Sequence, residues 1–191
     1  MALSRPVVGI VGLSGGASSS CPSSMDDVMP SEEPLRPLID VTIPPVWQTV
    51  RSIRQRVDEA LADHTSELRV AAVMTFSELV ENAIKYGAAG PADIRVSLGV
   101  SSTRVQIEVV NACANQSAVH ELRARIDEIE RSPDKQALFL QQLMQAIERP
   151  TGSGNLGLYR IALEGEFALD CRHENGMVTV SATRAIESGE R

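Results

Sequence analysis

Residues 94–110 read Ile-Arg-Val-Ser-Leu-Gly-Val-Ser-Ser-Thr-Arg-Val-Gln-Ile-Glu-Val-Val and contain a strong β-strand signal. Apolar and polar residues alternate over Ile94–Val100 and again over Val105–Val110, which is the period of a half-buried strand. The short segment Ser101–Thr103 between them predicts a hairpin turn. The two strands are therefore expected to pair antiparallel.

The segments on either side of this hairpin show further strand and helix patterns. One more strand is predicted over Leu38–Ile43, and a second hairpin over Phe167–Arg172 and Met177–Ala182 around Asn175-Gly176. Apolar residues at helical spacing predict five helices, over Trp47–His64, Leu68–Tyr86, Val119–Ile129, Gln136–Ile147 and Leu156–Glu164. Strand pairs without crossover helices predict an α/β (α+β) two-layer sandwich, with a mixed, largely antiparallel sheet and helices on one face.

Residues 1–35 are rich in Ser, Gly and Pro and are predicted to form a disordered or flexible leader, because they offer little apolar surface to bury. The folded domain is expected over residues 36–185, followed by a tail over 186–191. The leader segment Gly9–Ser20 resembles a phosphate-binding loop, but Ala17 stands where such a loop needs lysine. A flexible linker is the better interpretation, and a lipoprotein-like signal before Cys21 is a minor alternative.

Composition narrows the function classes and the compartment. The 191 residues carry a formal net charge of −7, and 3% of them are aromatic. An acidic chain with few aromatic rings argues against nucleic-acid binding. The longest apolar runs fall short of 18 residues, so no membrane span is predicted. The scattered cysteines Cys21, Cys113 and Cys171 predict reduced thiols and a cytoplasmic location rather than a disulfide framework or zinc site.

The predicted helix Leu68–Tyr86 carries a polar face, and Gly87 is expected at its C′ position. At 100° per residue this face spans an arc of about 120° and holds Thr75, Glu78, Glu81, Asn82 and Lys85. An ordinary solvated face is the plainer interpretation of such a pattern. The composition favours a site, since Glu78 and Asn82 lie one turn apart and their oxygens suit Mg²⁺.

The same helix carries a resemblance to a known family. Residues 76–87, Phe-Ser-Glu-Leu-Val-Glu-Asn-Ala-Ile-Lys-Tyr-Gly, resemble the N-box of the GHKL (histidine-kinase-like) ATPases, whose nucleotide-binding domain is the Bergerat fold. Within that superfamily the chain most resembles the small anti-sigma-factor serine kinases and the related threonine kinases of bacterial partner-switching systems. The resemblance covers about residues 37–184, and it implies an ATP-binding domain that uses Mg²⁺.

The resemblance assigns roles to four residues of this helix. Asn82 corresponds to the asparagine that holds Mg²⁺ against the nucleotide phosphates. Glu78 corresponds to the carboxylate that serves as general base in catalytic members. Lys85 and Tyr86 match positions that often face the nucleotide.

A glycine-rich loop that leads into a helix is the second element of the resemblance. It consists of Gly152, Ser153, Gly154, Asn155, Leu156, Gly157 and Leu158, where the family usually has Gly-x-Gly-Leu-Gly-Leu. Glycines let the backbone approach phosphate, and the N-terminus of the following helix attracts an anion. A Gly/Ser connection that caps a helix is the alternative interpretation. The position of the loop, about 70 residues after the N-box, favours phosphate binding.

The third element departs from the family pattern. After the strand Val105–Val110 the family usually has Asp-x-Gly-x-Gly, whose Asp accepts a hydrogen bond from the adenine amino group, and here the segment is Asn111-Ala-Cys-Ala-Asn115. Asn111 can still accept through its amide oxygen, without the charge of a carboxylate. The residues from there to Gly152 correspond to the ATP lid and are predicted to be mostly two helices. Within them, His120-Glu121 is interpreted as solvated surface.

Three functions remain open at this point. The leading hypothesis is an ATP-dependent serine/threonine kinase that phosphorylates a small antagonist protein, with Glu78, Asn82 and the Gly152–Leu158 loop as its site. The alternative is a non-catalytic, degenerate module that sequesters a regulator such as a sigma factor, which Asn111 and the missing glycines favour. A weaker third hypothesis is an ATP hydrolase or a histidine-kinase fragment. The resemblance also suggests a homodimer.

Overall fold

One five-stranded sheet runs through the residues that the structure, a computed structural model, describes: 33–87, 92–148 and 156–187. Its strands are β1 (Arg36–Ile43), β2 (Ile94–Val100), β3 (Arg104–Ala112), β4 (Ala168–Glu174) and β5 (Met177–Ala185). They pair in the order β1-β2-β3-β5-β4, and each of these pairings is antiparallel. The predicted largely antiparallel sheet is confirmed.

The second layer consists of helices on one face of this sheet. Within the described residues they are α1 (Trp47–Ala60), α2 (Ser66–Tyr86), α3 (Gln116–Arg131), α4 (Lys135–Glu148) and α5 (Leu156–Leu163). Together with the sheet they form a two-layer α+β sandwich. The element order is the one that the hydrophobic periodicity predicts, and the two helices α3 and α4 lie in the predicted lid region.

The core lies between the inner face of the sheet and α2. Alternation along β2 and β3 directs Val96, Leu98, Ile107 and Val109 toward the helices, and all four are buried. From the helix side, Phe76 is fully buried among them. Removal of this apolar surface from water is the main favourable contribution to folding, and it holds α2 in a fixed position over the sheet.

The β4–β5 hairpin is closed by the turn that the sequence predicts. Asn175 has a φ of 52° and Gly176 a φ of 76°. Both values lie in the left-handed region that a type I′ hairpin turn requires, and Asn-Gly is the favoured pair for it. The turn aligns Glu174 with Met177 and fixes the register of the hairpin.

The two ends of α2 are set by local chemistry. Thr65 caps the N-terminus, since its side-chain oxygen accepts a hydrogen bond from the Leu68 amide at 3.4 Å. At the other end Gly87 has an extended backbone, with φ −62° and ψ 168°, so it does not adopt the left-handed conformation typical of a C′ glycine. Glycine is required there for a different reason, because a Cβ would lie 2.5 Å from the Ala83 carbonyl oxygen.

Helix α1 ends at Ala60, one turn before the predicted end at His64. Leu61, which follows, has left the helical region with φ −105° and ψ 18°, and its side chain is completely buried. The chain therefore reverses at this point and brings α2 back against α1. An ion pair of 2.8 Å between Arg69 and Asp58 joins the two helices.

Helix α3 is attached to the edge of the sheet and to α5 through its C-terminal half. The Glu130 carboxylate accepts a hydrogen bond from the Leu169 amide of the edge strand β4 at 2.9 Å. The Tyr159 hydroxyl of α5 donates to Glu128 at 2.7 Å. Burial raises the pKa of Tyr159, and the hydrogen bond to the Glu128 carboxylate raises it further. The hydroxyl is therefore a donor at neutral pH.

The predicted leader lies outside the described residues except for 33–35, and the predicted tail except for 186–187. Over residues 33–87, 92–148 and 156–187, no helix combines the length and the apolar character needed to cross a membrane.

Candidate functional site

A cleft between α2, α3 and the sheet is the candidate ligand site. It contains ≈ 740 Å³ of space, part of it open to solvent. Most of the wall is aliphatic, and its apolar residues include Leu79, Val109, Leu122, Leu158 and Val180. The polar groups that reach the cleft are few, and they define what it can bind.

Asn111 is the polar residue supplied by the sheet. It lies near the end of β3, where the alternation of the strand turns its side chain inward, and it is 8% exposed. Its Nδ2 donates to the Ala112 carbonyl oxygen at 3.1 Å. This bond uses the donor side of the amide, so Oδ1 is left as a hydrogen-bond acceptor.

Asn82 and Tyr86 are the polar residues supplied by α2. They are one helical turn apart, and both line the cleft together with Ala83. The Tyr86 carbonyl oxygen also accepts a weak bond from the Cys113 thiol at 3.5 Å, and Cys113 lines the cleft as well. The structure thus brings three polar site residues that the sequence predicts, Asn82, Tyr86 and Asn111, to one cavity.

Glu78 lies one turn before Asn82, and its carboxylate pairs with the guanidinium of Arg160. Its Oε1 accepts a hydrogen bond from Arg160 Nη1 at 2.9 Å, and its side chain is 21% exposed. Burial raises the pKa of Glu78, and the charge of Arg160 acts in the opposite direction. Burial therefore favours the neutral form of the carboxyl group, and the Arg160 guanidinium holds this group in place.

The first turn of α5 packs directly on this carboxylate. A Cβ at Gly157 would overlap Glu78 Oε2 and would lie 3.0 Å from Glu78 Cδ, so a larger residue would force this carboxylate to move. The next residue, Leu158, is buried and lines the cleft. Leu156 begins the helix. The remaining loop residues predicted to bind phosphate, Gly152, Ser153, Gly154 and Asn155, lie outside the described residues.

Lys85 makes its ion pair and its ring contact with residues that do not line the cleft. Its ammonium pairs with Glu81 at 3.7 Å and lies over the ring of Trp47, 5.8 Å from the centroid. Lys85 itself is not among the described residues that line the cleft. Glu81, Lys85 and Trp47 form a separate cluster at the end of α2, so the predicted polar face of this helix divides into two parts.

Arg160 and part of α3 are site residues to which the sequence assigned no role. Arg160 follows Gly157 by three residues, which places both on the face of α5 that meets α2. Helix α3 contributes Leu122, Glu121 and Arg125 to the cleft, and the two charged residues pair at 3.6 Å. Spacing within each helix could have indicated these faces, but the partner of each face is set by the tertiary fold.

A dedicated metal cage is not among the described features. Residues 33–87, 92–148 and 156–187 contain no cluster of three or more His, Cys, Asp or Glu side chains that could hold an ion. An Mg²⁺ ion at Asn82 would depend on ligand oxygens and water for most of its coordination, which is usual for this metal.

No protein-family model matches this chain, and no curated protein matches it.

Proposed function

We propose that this protein is an ATP-binding regulatory protein of bacterial signal transduction, and more specifically a cytoplasmic serine/threonine kinase of the GHKL type. Its substrate would be a small antagonist protein in a partner-switching system. The observation that carries the proposal is the position of Asn82 and Asn111 in one cleft, with Glu78 one helical turn before Asn82 on the same helix.

The cleft has the properties that an adenine nucleotide needs. Its mostly aliphatic walls suit the flat faces of a purine ring. Asn111 presents Oδ1, which can accept a hydrogen bond from an exocyclic amino group, because its Nδ2 is already bonded to Ala112. Asn82 would hold Mg²⁺ through its amide oxygen, nearer the turn of α2 that carries Glu78.

Glu78 is the residue that we assign as general base. When bound, Mg·ATP supplies the phosphoryl group and the charge that stabilises its transfer. Glu78 would accept the proton of a Ser or Thr hydroxyl of the partner protein, and a carboxyl group whose pKa is raised is a stronger base for this step. Because residue 157 is a glycine, there is space beside it for this carboxylate.

Titration calorimetry with Mg·ATP tests the nucleotide site. We expect Asn82→Ala to weaken binding by roughly tenfold or more, because a bond to a charged ligand group is lost. Gln141→Ala on the exposed face of α4 is the control and should bind as the wild type does. Equal affinity for wild type and Asn82→Ala would rule out the proposed role of Asn82.

A phosphorylation assay tests the base. The partner would be captured from the native host by pull-down, and its phosphosite mapped by mass spectrometry. We expect Glu78→Gln to bind Mg·ATP and to phosphorylate this partner roughly a hundredfold more slowly. A normal rate in Glu78→Gln would refute the assignment, and acid-labile phosphate on the product would indicate a histidine kinase instead.

A non-catalytic module that sequesters a sigma factor or similar regulator is the second candidate. Two observations favour it: Glu78 is already paired with Arg160, and Asn111 stands in place of an aspartate. A ligand that binds the native state raises its melting temperature. No thermal shift of the wild type at millimolar Mg·ATP, together with capture of an unmodified partner, would favour this candidate over the kinase.

A homodimer, suggested by the family resemblance alone, is part of the proposal. Sedimentation equilibrium of the full chain tests it, and a monomer at micromolar concentration would contradict it.

A further inference from the structure

We propose that Arg160 is a positioning residue that neutralises Glu78 and thereby allows a polyanionic nucleotide to bind one helical turn away. The inference rests on the proposed function, since the ligand concerned is Mg·ATP. It adds a charged residue of α5 to a site to which this helix already contributes Gly157 and Leu158.

The geometry of the contact supports a fixed role for Arg160. Its Nη1 lies 2.9 Å from Glu78 Oε1, and the other carboxylate oxygen of Glu78 is packed against Gly157. One guanidinium and one glycine, both from α5, therefore hold the same carboxylate from two sides. Glu78 and Arg160 are 82 residues apart in sequence, so only the folded chain forms this pair.

The charges around Glu78 show what the guanidinium contributes. Glu81 and Lys85 act on it from α2, Arg160 acts on it from α5, and Glu164 acts on it from the turn that follows α5. Arg160 serves two of these carboxylates, because it also donates to Glu164 at 3.0 Å and 3.2 Å. Among the described groups that act on Glu78, Lys85 would be the one remaining cation without Arg160. It would then face three carboxylates, those of Glu78, Glu81 and Glu164.

A nucleotide brings further negative charge to this place. Asn82, the proposed magnesium ligand, is the next residue along the same face of α2, so phosphate groups held there would approach Glu78. Like charges at such a separation repel, and the repulsion is larger in a partly buried site than in water. A neutralised Glu78 avoids this cost.

Four forms of the full chain test the proposal by calorimetry with Mg·ATP: wild type, Arg160→Met, Glu78→Gln and the double variant. We expect Arg160→Met to weaken binding by roughly fivefold, because an unpaired carboxylate then faces the phosphates. In the Glu78→Gln background the same substitution should change affinity by less than about twofold. Arg160→Lys, which keeps the charge, should restore most of the affinity.

A matched control variant and a measurement without nucleotide accompany these four binding experiments. Arg69→Met removes another arginine that donates two hydrogen bonds to one carboxylate, at Asp58, and should leave Mg·ATP affinity unchanged. Urea unfolding of the four forms without nucleotide should show a coupling between residues 78 and 160, since they are in contact.

The outcomes separate this inference from the proposed function. No binding of Mg·ATP by the wild type overturns both. Binding by the wild type with equal affinity for Arg160→Met overturns the inference alone. An equal loss of affinity on Arg160→Met in the wild-type and Glu78→Gln backgrounds also overturns it, because Arg160 would then act independently of Glu78.

Discussion

Glu78 shows how one carboxyl group can be partly buried and still be held by a charge. Its removal from water favours the neutral form, and Arg160 favours the ionised form, with burial the larger effect on its pKa. The sequence placed Glu78 correctly on α2, one turn from Asn82. It could not reveal Arg160 as the partner, because no local spacing relates residues so far apart.

The raised pKa of Glu78 makes a prediction about stability. A carboxyl group with a higher pKa in the folded state than in the unfolded state stabilises the fold below its ordinary pKa, and this contribution is lost as the pH rises through the folded value. Between about pH 4 and pH 7, the unfolding free energy of the wild type should therefore fall relative to that of Glu78→Gln.

Urea unfolding of both proteins across this pH range measures the difference. The other titrating groups are common to both proteins, so their contributions cancel in the comparison. A difference that stays constant with pH would show that burial and Arg160 cancel at this carboxyl group, and a change in the opposite sense would show that Arg160 outweighs burial.

Helices α2 and α5 approach each other at Gly157, where there is no room for another side chain. The contact joins the predicted N-box helix to the helix that follows the glycine-rich loop. The sequence resemblance predicts that this glycine lies in a phosphate-binding loop. The structure adds a second reason, because a Cβ would displace the Glu78 carboxylate.

Gly157→Ala should have opposite effects on stability in two backgrounds. In the wild type the new methyl group displaces Glu78 from Arg160, and we expect a loss of roughly 1–2 kcal/mol. In a Glu78→Ala background the obstruction is gone, and the better helix propensity of alanine should stabilise by up to about 1 kcal/mol. Chemical denaturation of the four proteins measures both effects, and the same sign in both would refute the proposed contact.

Periodicity predicted the elements well and their ends less well. Residues such as Val96 and Ile107 alternate strictly, so β2 and β3 were evident from local sequence. The end of α1 was not, because burial of Leu61 and the return of α2 decide it. Lys85 is predicted to face a nucleotide; in the structure its ammonium lies over the ring of Trp47, a contact between two helices that local spacing cannot reveal.

The molecule as a whole depends on a core shared by both layers. Phe76 of α2 is completely buried, whereas Leu140 of α4 is 50% exposed. The same substitution at these two sites therefore separates core packing from surface contact.

We expect Phe76→Ala to lower the free energy of unfolding by about 3–5 kcal/mol. Leu140→Ala should change it by less than about 0.5 kcal/mol. Equilibrium denaturation in urea measures both. A comparable loss at Leu140 would mean that α4 packs more tightly than its exposure indicates, and a small loss at Phe76 would contradict the central position of α2.

The bond from the Leu169 amide to Glu130 has a consequence for how the chain behaves at high concentration. Strand β4 is the last strand at its end of the sheet, and an edge strand with an open amide can recruit the edge of another molecule. A carboxylate of α3 already occupies this amide. The chain thus protects one border of its sheet against strand-by-strand aggregation with the same helix that lines the cleft.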